Sequence, residues 1–550
     1  MPIATPPTPA PSPRPFSTYD SFSQNAATAS YEPAHLSRIE FANLASSGPA
    51  ARRRYLVSLL NDCTTSELLY ISSYIIPMLK RDFLRELPPE IAFHILNFVD
   101  DPRTLSRASQ VCRRWNTLIS DDWLWKKMCE SHQFNLDSTS RKNIRVDDID
   151  DLMEAKHEVA ASSADHASVV SIQKRRDYGQ DSDHDGLAHT KFSYRKHFQS
   201  AYATTSNWRR GGRILRAHRV PIVTPSNGVI TSAAMDADWV VVALTSNHIH
   251  IFNATTGVLN RTLTGHEQGV WAVHLVSHRW GQPNSLLVSG GCDKVLRVWD
   301  VKSGHCIYVL RGHTSTIRCI KVLHNRPIAV TGSRDWTLRV WDIQRGRMLR
   351  LLQGHQQSVR CLDVCGNRVV SGSYDTTCRI WNVDTGECLH VLEGHMHQLY
   401  SVAFDGVRVA SGGLDTTVRV WDADTGECIA LLQGHTALVC QLQLFSDMLA
   451  TGGSDGRVIT FSLSTFTTLQ RIAAHDSSVT SLQFDQHFLV TGGNDGRVRL
   501  FETLTGNYIR DLTERCESVW KVVHKNGICA IMCKRAGKTV MEIWSFNPRE

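Results

Sequence analysis

The chain has 550 residues, 42% apolar and 21% charged, with a formal net charge of +7. At roughly 100–200 residues per domain it exceeds one ordinary domain, and no apolar run approaches the roughly 18–20 residues of a transmembrane helix. Met1 to Pro15 has no apolar h-region, so no secretory leader is expected, and the fifteen cysteines are expected as reduced thiols.

Proline and glycine divide the chain. Nine of the 18 prolines lie in the first 50 residues, and 32 of the 35 glycines follow residue 200. Residues 1–50 are rich in Pro, Ser, Thr and Ala with few charges. Such a segment buries too little apolar surface to offset its ordering entropy, and it is expected to be a disordered tail. Its Thr5-Pro6, Thr8-Pro9 and Ser12-Pro13 pairs read as part of that tail before they read as kinase sites.

Residues 51–80 read as two helical runs. Leu56, Leu59 and Leu60, then Leu68, Leu69, Ile71, Ile75 and Ile76, recur at three-to-four spacing, and Thr64 to Glu67 separates them with an N-cap signal. The runs suit either a self-pairing hairpin or packing onto the next domain. Residues 81–135 predict a small bundle of about three helices. Leu87-Pro88-Pro89-Glu90-Ile91 opens one with Pro in its first turn, and Ile91, Ile95, Leu96 and Val99 form its apolar stripe. Leu105, Ala108, Val111 and Cys112 form the next. Fewer than 50 residues make a marginal core that often needs a partner.

Residues 136–190 alternate acidic and basic patches with poor apolar periodicity, which predicts a flexible insert. Lys174-Arg175-Arg176 is too short a basic run to assign to nuclear import. Residues 191–211, with Phe192, Tyr194, Phe198, Tyr202 and Trp208, predict a helical linker.

From 212 to 550 the chain is periodic. A Gly/Ala-His pair recurs with His at 218, 266, 313, 355, 395, 435 and 475. An aromatic-polar pair recurs at 40–47-residue intervals from Phe252-Asn253 through Trp299-Asp300 and Trp341-Asp342 to Trp544-Ser545. Between them stand Ser/Thr-Gly pairs and an Asp, as in Ser371-Gly372 with Asp375. This is the WD40 signature, four strands to each blade of a β-propeller. Eight aromatic ends predict eight blades. Too few residues follow Trp544 for another strand, so the outer strand of the last blade is expected from about Gly212 to Ala217, closing the ring and removing an edge. The predicted class is therefore multidomain, a small all-α bundle followed by an all-β eight-bladed propeller.

His313, Thr331 and Asp335 mimic a hydrolytic set. The same types recur as His355/Ser371/Asp375 and His395/Ser411/Asp415, and a set copied from blade to blade reads as a rigidifying hydrogen-bond network. No catalytic residue, metal or cofactor is expected. Cys306, Cys388 and Cys428 share one repeat position and read as packed thiols. Arg297, Arg339, Arg379, Arg419 and Arg499 share another and read as structural.

Function is sought where blades differ. After the β-branched or Leu residue of each first strand, from the second blade on, stand Trp271, Arg318, Arg360, Tyr400, Cys440, Thr480 and Trp520. Before the turn Asp stand Cys292, Arg334, Tyr374, Leu414, Ser454 and Asn494, with Lys534 aligned in the last blade. These positions ring one rim of the channel. Arg318, Arg334 and Arg360 fall in two adjacent blades, flanked by Tyr374, Tyr400, Trp271 and Trp520. Three guanidiniums in one patch repel one another and suit a phosphate, which each fork can bind through two charge-assisted hydrogen bonds. Ser315 and Thr316 add hydroxyls.

Leu87-Pro88-x-Glu90-Ile91, Ile95-Leu96, Val111-Cys112-Arg113-x-Trp115 and Leu124-Trp125 resemble an F-box. With eight blades, Asn207-Trp208-Arg209-Arg210-Gly211, Ser315-Thr316-Ile317-Arg318-Cys319 and Ser333-Arg334-Asp335, the chain resembles the F-box/WD40 family of the archipelago and yeast cell-division-control type. The resemblance covers roughly 51–135 and 191–550. It implies a non-catalytic substrate receptor of a Skp–cullin–F-box ubiquitin ligase. Leu87, Pro88, Ile91, Ile95 and Leu96 would bind the Skp-type adaptor, with the cullin core beyond it. The propeller would bind phosphorylated substrates through Arg318, Arg334, Arg360, Tyr374, Tyr400, Trp271 and Trp520. Residues 51–80 match a dimerisation segment, so a homodimer is expected, in nucleus and cytoplasm with the nucleus favoured. Lys534 stands where the family often has a further Arg, and the insert is longer than the family pattern.

Two other readings compete. One is a WD40 scaffold for unmodified proteins, which a hydrophobic rim without arginines would favour. The other is a different F-box/WD40 branch, such as the sulphur-metabolism regulators. No nucleic-acid partner is expected, since the arginine set is compact where a broad basic stripe with steep salt dependence would be required. No membrane partner is expected.

Overall fold

The computed structural model describes residues 48–79, 82–134, 192–219, 228–277 and 285–548. The Ser/Thr-Pro pairs, Lys174 to Arg176, the expected insert and all but the end of the expected tail lie outside these residues. The chain divides into two compact units, 1–89 and 90–550.

In the first unit, helix α1 (Pro49–Asn61) opens with Pro at its first positions, just inside the expected tail. Helix α2 (Thr65–Leu79) and the short α3 (Phe83–Glu86) follow. Glu67 Oε2 accepts from the Thr64 amide at 2.8 Å and from its hydroxyl at 2.7 Å, so Thr64-x-x-Glu67 is a capping box. Tyr55, Leu56, Leu59 and Leu60 on α1 and Leu69, Tyr70, Tyr74 and Ile76 on α2 are exposed.

The second unit begins with four short helices where the sequence suggested three: α4 (Pro89–Leu96), α5 (Pro102–Ala108), α6 (Arg113–Ile119) and α7 (Asp122–Ser131). The extra break falls at 109–112, inside the expected stripe of Leu105 to Cys112, where α5 ends and α6 begins. Asp101 caps α5 by accepting from the Arg103 and Thr104 amides, and Asp121 caps α7 through the Trp123 amide. Ala92, Leu96, Leu105, Ile119, Leu124 and Trp125 are buried. Val111, expected on a core stripe, is exposed.

Helix α8 (Tyr194–Arg210) joins this bundle to the propeller. At one end Phe198 meets Trp125, with ring centroids 5.3 Å apart. At the other, Trp208 stacks on Phe546 at 3.7 Å, and Asn207 Nδ2 donates to the Phe546 carbonyl at 2.8 Å. Trp208 belongs to the core of the last two blades, with Phe488, Leu500 and Val519.

Eight four-stranded antiparallel sheets form the propeller. The last blade takes its outer strand from Arg213–Arg219, which pairs with Lys538–Ser545. Ring closure by the start of the repeat region thus occurs as expected. His218 departs from expectation: it lies inside that closing strand opposite Met541, so the Ala217-His218 pair is no repeat histidine. Neighbouring blades bury apolar faces against each other, as Leu323, Val330 and Val340 do against Val359, Leu362 and Trp381.

Blades two to seven each carry the repeated network. His313 Nδ1 lies 2.8 Å from Asp335 Oδ2, its Nε2 lies 2.7 Å from Thr331 Oγ1, and Trp341 Nε1 donates to the same hydroxyl at 2.9 Å. His355/Asp375/Ser371/Trp381 and His395/Asp415/Ser411/Trp421 repeat it within 0.1 Å. In blades six and seven Phe461 and Phe501 replace the Trp, and the hydroxyls of Thr451 and Thr491 turn to the carbonyls of Ile459 and Arg499. The hydroxyl is fully committed, which is why the set is structural. The shared arginine position is structural too: Arg297, Arg379 and Arg419 reach the sulfurs of Cys306, Cys388 and Cys428.

Burial holds the imidazoles of His313, His395, His435 and His475 below the ordinary histidine value, against the pull of their Asp partners. Burial alone would raise Asp335 and Asp375, but hydrogen bonds led by the histidines hold both well below the carboxylate range. Both shifts are downward, so both contribute stability above the unfolded values and lose it on acidification. The histidine part fades as pH falls below about 6.5 and the aspartate part below about 4. Thermal melts followed by circular dichroism should show Tm falling from pH 7 to pH 5 and falling further below pH 4. A flat or rising Tm between pH 7 and pH 5 would contradict buried neutral imidazoles.

Candidate functional site

The rim positions read from the sequence share one backbone feature. In each innermost strand the register to the second strand skips one residue, a β-bulge. The skipped residues are Thr231, Trp271, Arg318, Arg360, Tyr400, Cys440, Thr480 and Trp520. A bulge leaves its extra residue outside the ladder and re-aims its side chain, here at one end of the central channel. The second series lies on the adjoining turns. The Arg334 amide donates to the Thr316 carbonyl at 2.8 Å, and the Tyr374 amide to the Ser358 carbonyl at 3.0 Å.

Three of the eight bulge residues are short and tie blades together. Thr231 Oγ1 donates to the Val270 carbonyl at 2.5 Å, Thr480 Oγ1 to Val519 at 2.7 Å and Cys440 Sγ to Val479 at 3.1 Å, each in the next blade's inner strand. The other five are aromatic or guanidinium groups. The Arg318 guanidinium carbon lies 4.5 Å from the Trp271 ring centre, and that of Arg360 5.9 Å from the Tyr400 ring. Tyr374 and Tyr400 follow at 5.3 Å between centroids. Arg334, on the turn beside Arg318, is exposed. Trp271 Nε1 donates to Cys292 Sγ at 3.0 Å, and Trp520 packs on the apolar core shared by the first and last blades.

Electrostatically the patch is uncompensated. Burial lowers the Arg318 value first, and the charges of Arg360 and Arg334 lower it further, opposed only by Tyr374 and Cys292. Among the described residues none of the three guanidiniums has an ion-pair partner. The π faces of Trp271 and Tyr400 stabilise Arg318 and Arg360, by about 0.5–2 kcal/mol each. Burial, followed by a hydrogen bond with Tyr374, raises the Tyr400 hydroxyl. Ser315 and Thr316 are half-buried beside this set.

Two expected site residues stand apart. Lys534 does occupy the register of Arg334, since Val519 faces Cys533 as Ile317 faces Ser333. Its Nζ, however, lies 3.2 Å from Glu517 Oε2, so it brings no free cation to the rim. Leu96, expected to bind a partner, is only 4% exposed and belongs to the helical core, because it follows Ala92 on the inward face of α4. Ile95 is half-buried. Ile91 is 48% exposed and therefore accessible. In the first unit Leu87 is half-buried and Pro88 exposed. The structure also adds two rim residues. Met396, 77% exposed, follows the repeat His395 where other blades carry polar residues such as Thr314, Gln356 and Thr436. Trp336, 53% exposed, sits at φ 74°, a conformation blades six and seven give to Gly456 and Gly496. A blade-by-blade comparison of these two positions would have found both.

Comparison with known proteins agrees with this architecture. Residues 84–131 match the F-box-like family model, and 257–300, 304–342, 346–382, 386–422, 426–462 and 466–502 match the WD domain, G-beta repeat. The chain is an F-box/WD40-repeat protein. The six repeat matches each hold one histidine network; the last blade and the three inner strands of the first, whose pattern is weakest, fall outside them. Among relatives, WD repeat-containing protein pop1 of Schizosaccharomyces pombe is 30% identical over 279 residues, covering 50% of this chain and 30% of pop1. Cell division control protein 4 of Saccharomyces cerevisiae is 26% identical over 277 residues, covering 50% and 30%. A probable E3 ubiquitin ligase complex SCF subunit sconB of Emericella nidulans is 41% identical over 91 residues, covering 16% and 13%. The chain thus spans less than a third of the length of these relatives. The crystal structure of the computationally designed protein Ika8 superposes with a TM-score of 0.53 at 32% identity, covering 60% of this chain and 98% of that one.

The bulge residues separate into two kinds that substitution can distinguish. Thr480→Val removes an inter-blade hydrogen bond and should destabilise the propeller by about 1 kcal/mol in urea unfolding. Arg360→Ala removes an unpaired charge and should leave stability unchanged or slightly raised. The reverse ranking would mean that Arg360 is structural.

Proposed function

We propose that this F-box/WD40 protein is the substrate-receptor subunit of a Skp–cullin–F-box ubiquitin ligase, of the archipelago and yeast cell-division-control type. The observation that carries the reading is the rim: Arg318, Arg334 and Arg360 converge without a carboxylate, on rigid blades, between aromatic side chains. A phosphorylated Thr or Ser side chain supplies the missing charge. Each charge-assisted hydrogen bond to it contributes about 1.5–3 kcal/mol. Trp271 on one side and Tyr374 and Tyr400 on the other give neighbouring peptide residues apolar surface, the usual anchoring chemistry of peptide sites. The protein itself performs no chemistry in this role. It holds the substrate while a recruited conjugating enzyme transfers ubiquitin. The relative sconB, named as a ligase-complex subunit, supports the assembly.

The F-box residues Leu87, Pro88, Ile91 and Ile95 bind the Skp-type adaptor in this reading, and the exposed apolar residues of α1 and α2 pair two copies of the chain. The protein acts in nucleus and cytoplasm.

Three experiments test the assignment. Calorimetric titration with a Thr-Pro peptide should show binding at least 100-fold tighter when the Thr is phosphorylated, and Arg360→Ala should remove most of that gain. Equal affinity for both peptides would sink the phosphate pocket. Co-purification with the adaptor should fail for Leu87→Ala/Pro88→Ala, and sedimentation of the intact chain should give a dimer that Leu69→Asp converts to monomer. Retained adaptor, or a monomeric parent, would count against the respective surface.

A further inference from the structure

Blade three departs from the repeat a second time, at the opposite end of its strands. After the aromatic-polar pair, blades four and five read Asp-Thr-Gly-Glu (Asp384 to Glu387 and Asp424 to Glu427), whereas blade three reads Gln-Arg-Gly-Arg, Gln344 to Arg347. Thr and Glu become Arg345 and Arg347. Three residues on, where blades four and five have His390 and Ala430, stands Arg350. Arg326, on the hairpin between the first two strands of blade three, completes the set. Because Ile328 pairs with Asp342 and Gly332 with Leu338, this end lies a whole strand length from the bulge rim, about 17 Å.

These side chains line one cleft between blades three and four, with a volume of about 400 Å3, together with the apolar Pro327, Ile328, Leu349 and Val383. Four guanidiniums face two carboxylates. Asp384 takes Arg326 Nη1 at 2.6 Å. Asp342 Oδ2 meets Arg345 and Arg347 only at 3.8 and 4.0 Å, the limit of an ion pair, and its Oδ1 accepts from the amides of Gln344 and Arg345. Among the described residues Arg350 bonds only to the backbone carbonyls of Leu349 and Asp384. The Nη2 of Arg326 is buried without a hydrogen-bond partner. Arg345 and Arg347 are 71% and 60% exposed, so their forks are open to an incoming group.

We propose that this cleft is a second peptide site, which binds an acidic segment with closely spaced carboxylates. Net charge sets the sign of the ligand. The volume, within the roughly 300–1,000 Å3 range of ligand clefts, limits it to a few residues at a time. Guanidinium forks match carboxylate geometry in two-point contacts. The site is separate from the rim. It gives the propeller a handle on an acidic stretch of a partner protein at a distance from any phosphorylated residue.

The test uses the full chain and a fluorescein-labelled hexa-aspartate peptide followed by anisotropy. Arg345→Thr/Arg347→Glu installs the residues that blade four itself uses, and should weaken the peptide at least tenfold. Binding of a phosphothreonine peptide should not change. The parent should also lose affinity steeply between 50 and 200 mM salt. Unchanged affinity in the double variant would overturn the proposal. So would loss of hexa-aspartate binding in Arg318→Ala/Arg360→Ala, since the peptide would then sit on the rim. Should the double variant fail to fold, phenylglyoxal modification of the parent gives the same decision. Hexa-aspartate should protect Arg345 and Arg347 from it in peptide-mapped mass spectra, and unprotected arginines would refute the site.

Discussion

One extra residue in each innermost strand is the constraint on which the rest of the propeller's chemistry depends. Without the bulge, the residue after Ile317 would take its place in the ladder and its side chain would alternate into a blade face or the channel wall. With it, eight positions leave the ladder at the same height around the axis. Three of them, Thr231, Cys440 and Thr480, spend that freedom on the next blade's carbonyl. The others carry Arg, Trp or Tyr. The same backbone device therefore fastens some blades to their neighbours and arms blades two to five.

The arming works because the blades do not yield. Arg318 and Arg360 repel each other, and a flexible rim would relax by moving them apart or by recruiting an acid. Here each arginine is fixed on an inner strand whose second neighbour holds the Thr331 or Ser371 hydroxyl of the histidine network. Apolar faces are buried between blades three and four. The aromatic faces of Trp271 and Tyr400 take up part of the charge without neutralising it. An unpaired cluster on a rigid frame keeps its full attraction for an anion, whereas Lys534, in the same register, has surrendered its charge to Glu517.

Much of this was legible in the sequence, and the failures have physical causes. Eight blades, the closing strand and the arginine cluster all follow from periodicity, because a repeat displays its own exceptions. Letters that fit the period mislead where packing places the residue elsewhere. Ala217-His218 has the right letters, but it lies within the closing strand, paired to Glu542 and Met541. Leu96 lies one residue from Ile95, and a stripe at helical spacing does not say which of two adjacent apolar residues faces inward. The Glu517 partner of Lys534 belongs to a different strand end, which no local pattern reports. Met396 and Trp336 are exceptions at two other repeat positions, the residue after the repeat His and the residue after the turn Asp.

The helix that joins the two halves of the second unit has a consequence for how the rim is presented. A linker rooted at one end only would let the propeller swing, and its rim would sample many directions relative to the F-box helices. Helix α8 is rooted at both. Phe198 packs on Trp125 and on Phe134 at one end, and Arg195 donates to the Ser120 hydroxyl. At the other end Trp208 is inserted among Phe488, Phe546 and His524, and Arg209 pairs with Glu502. Seventeen helical residues span about 25 Å with no glycine or proline to bend them. Gly211, at φ 116°, ends the helix where the chain must turn at once into the closing strand, so the end that orients the propeller also completes its ring. Orientation and closure therefore share one short stretch of chain, and neither can relax without the other.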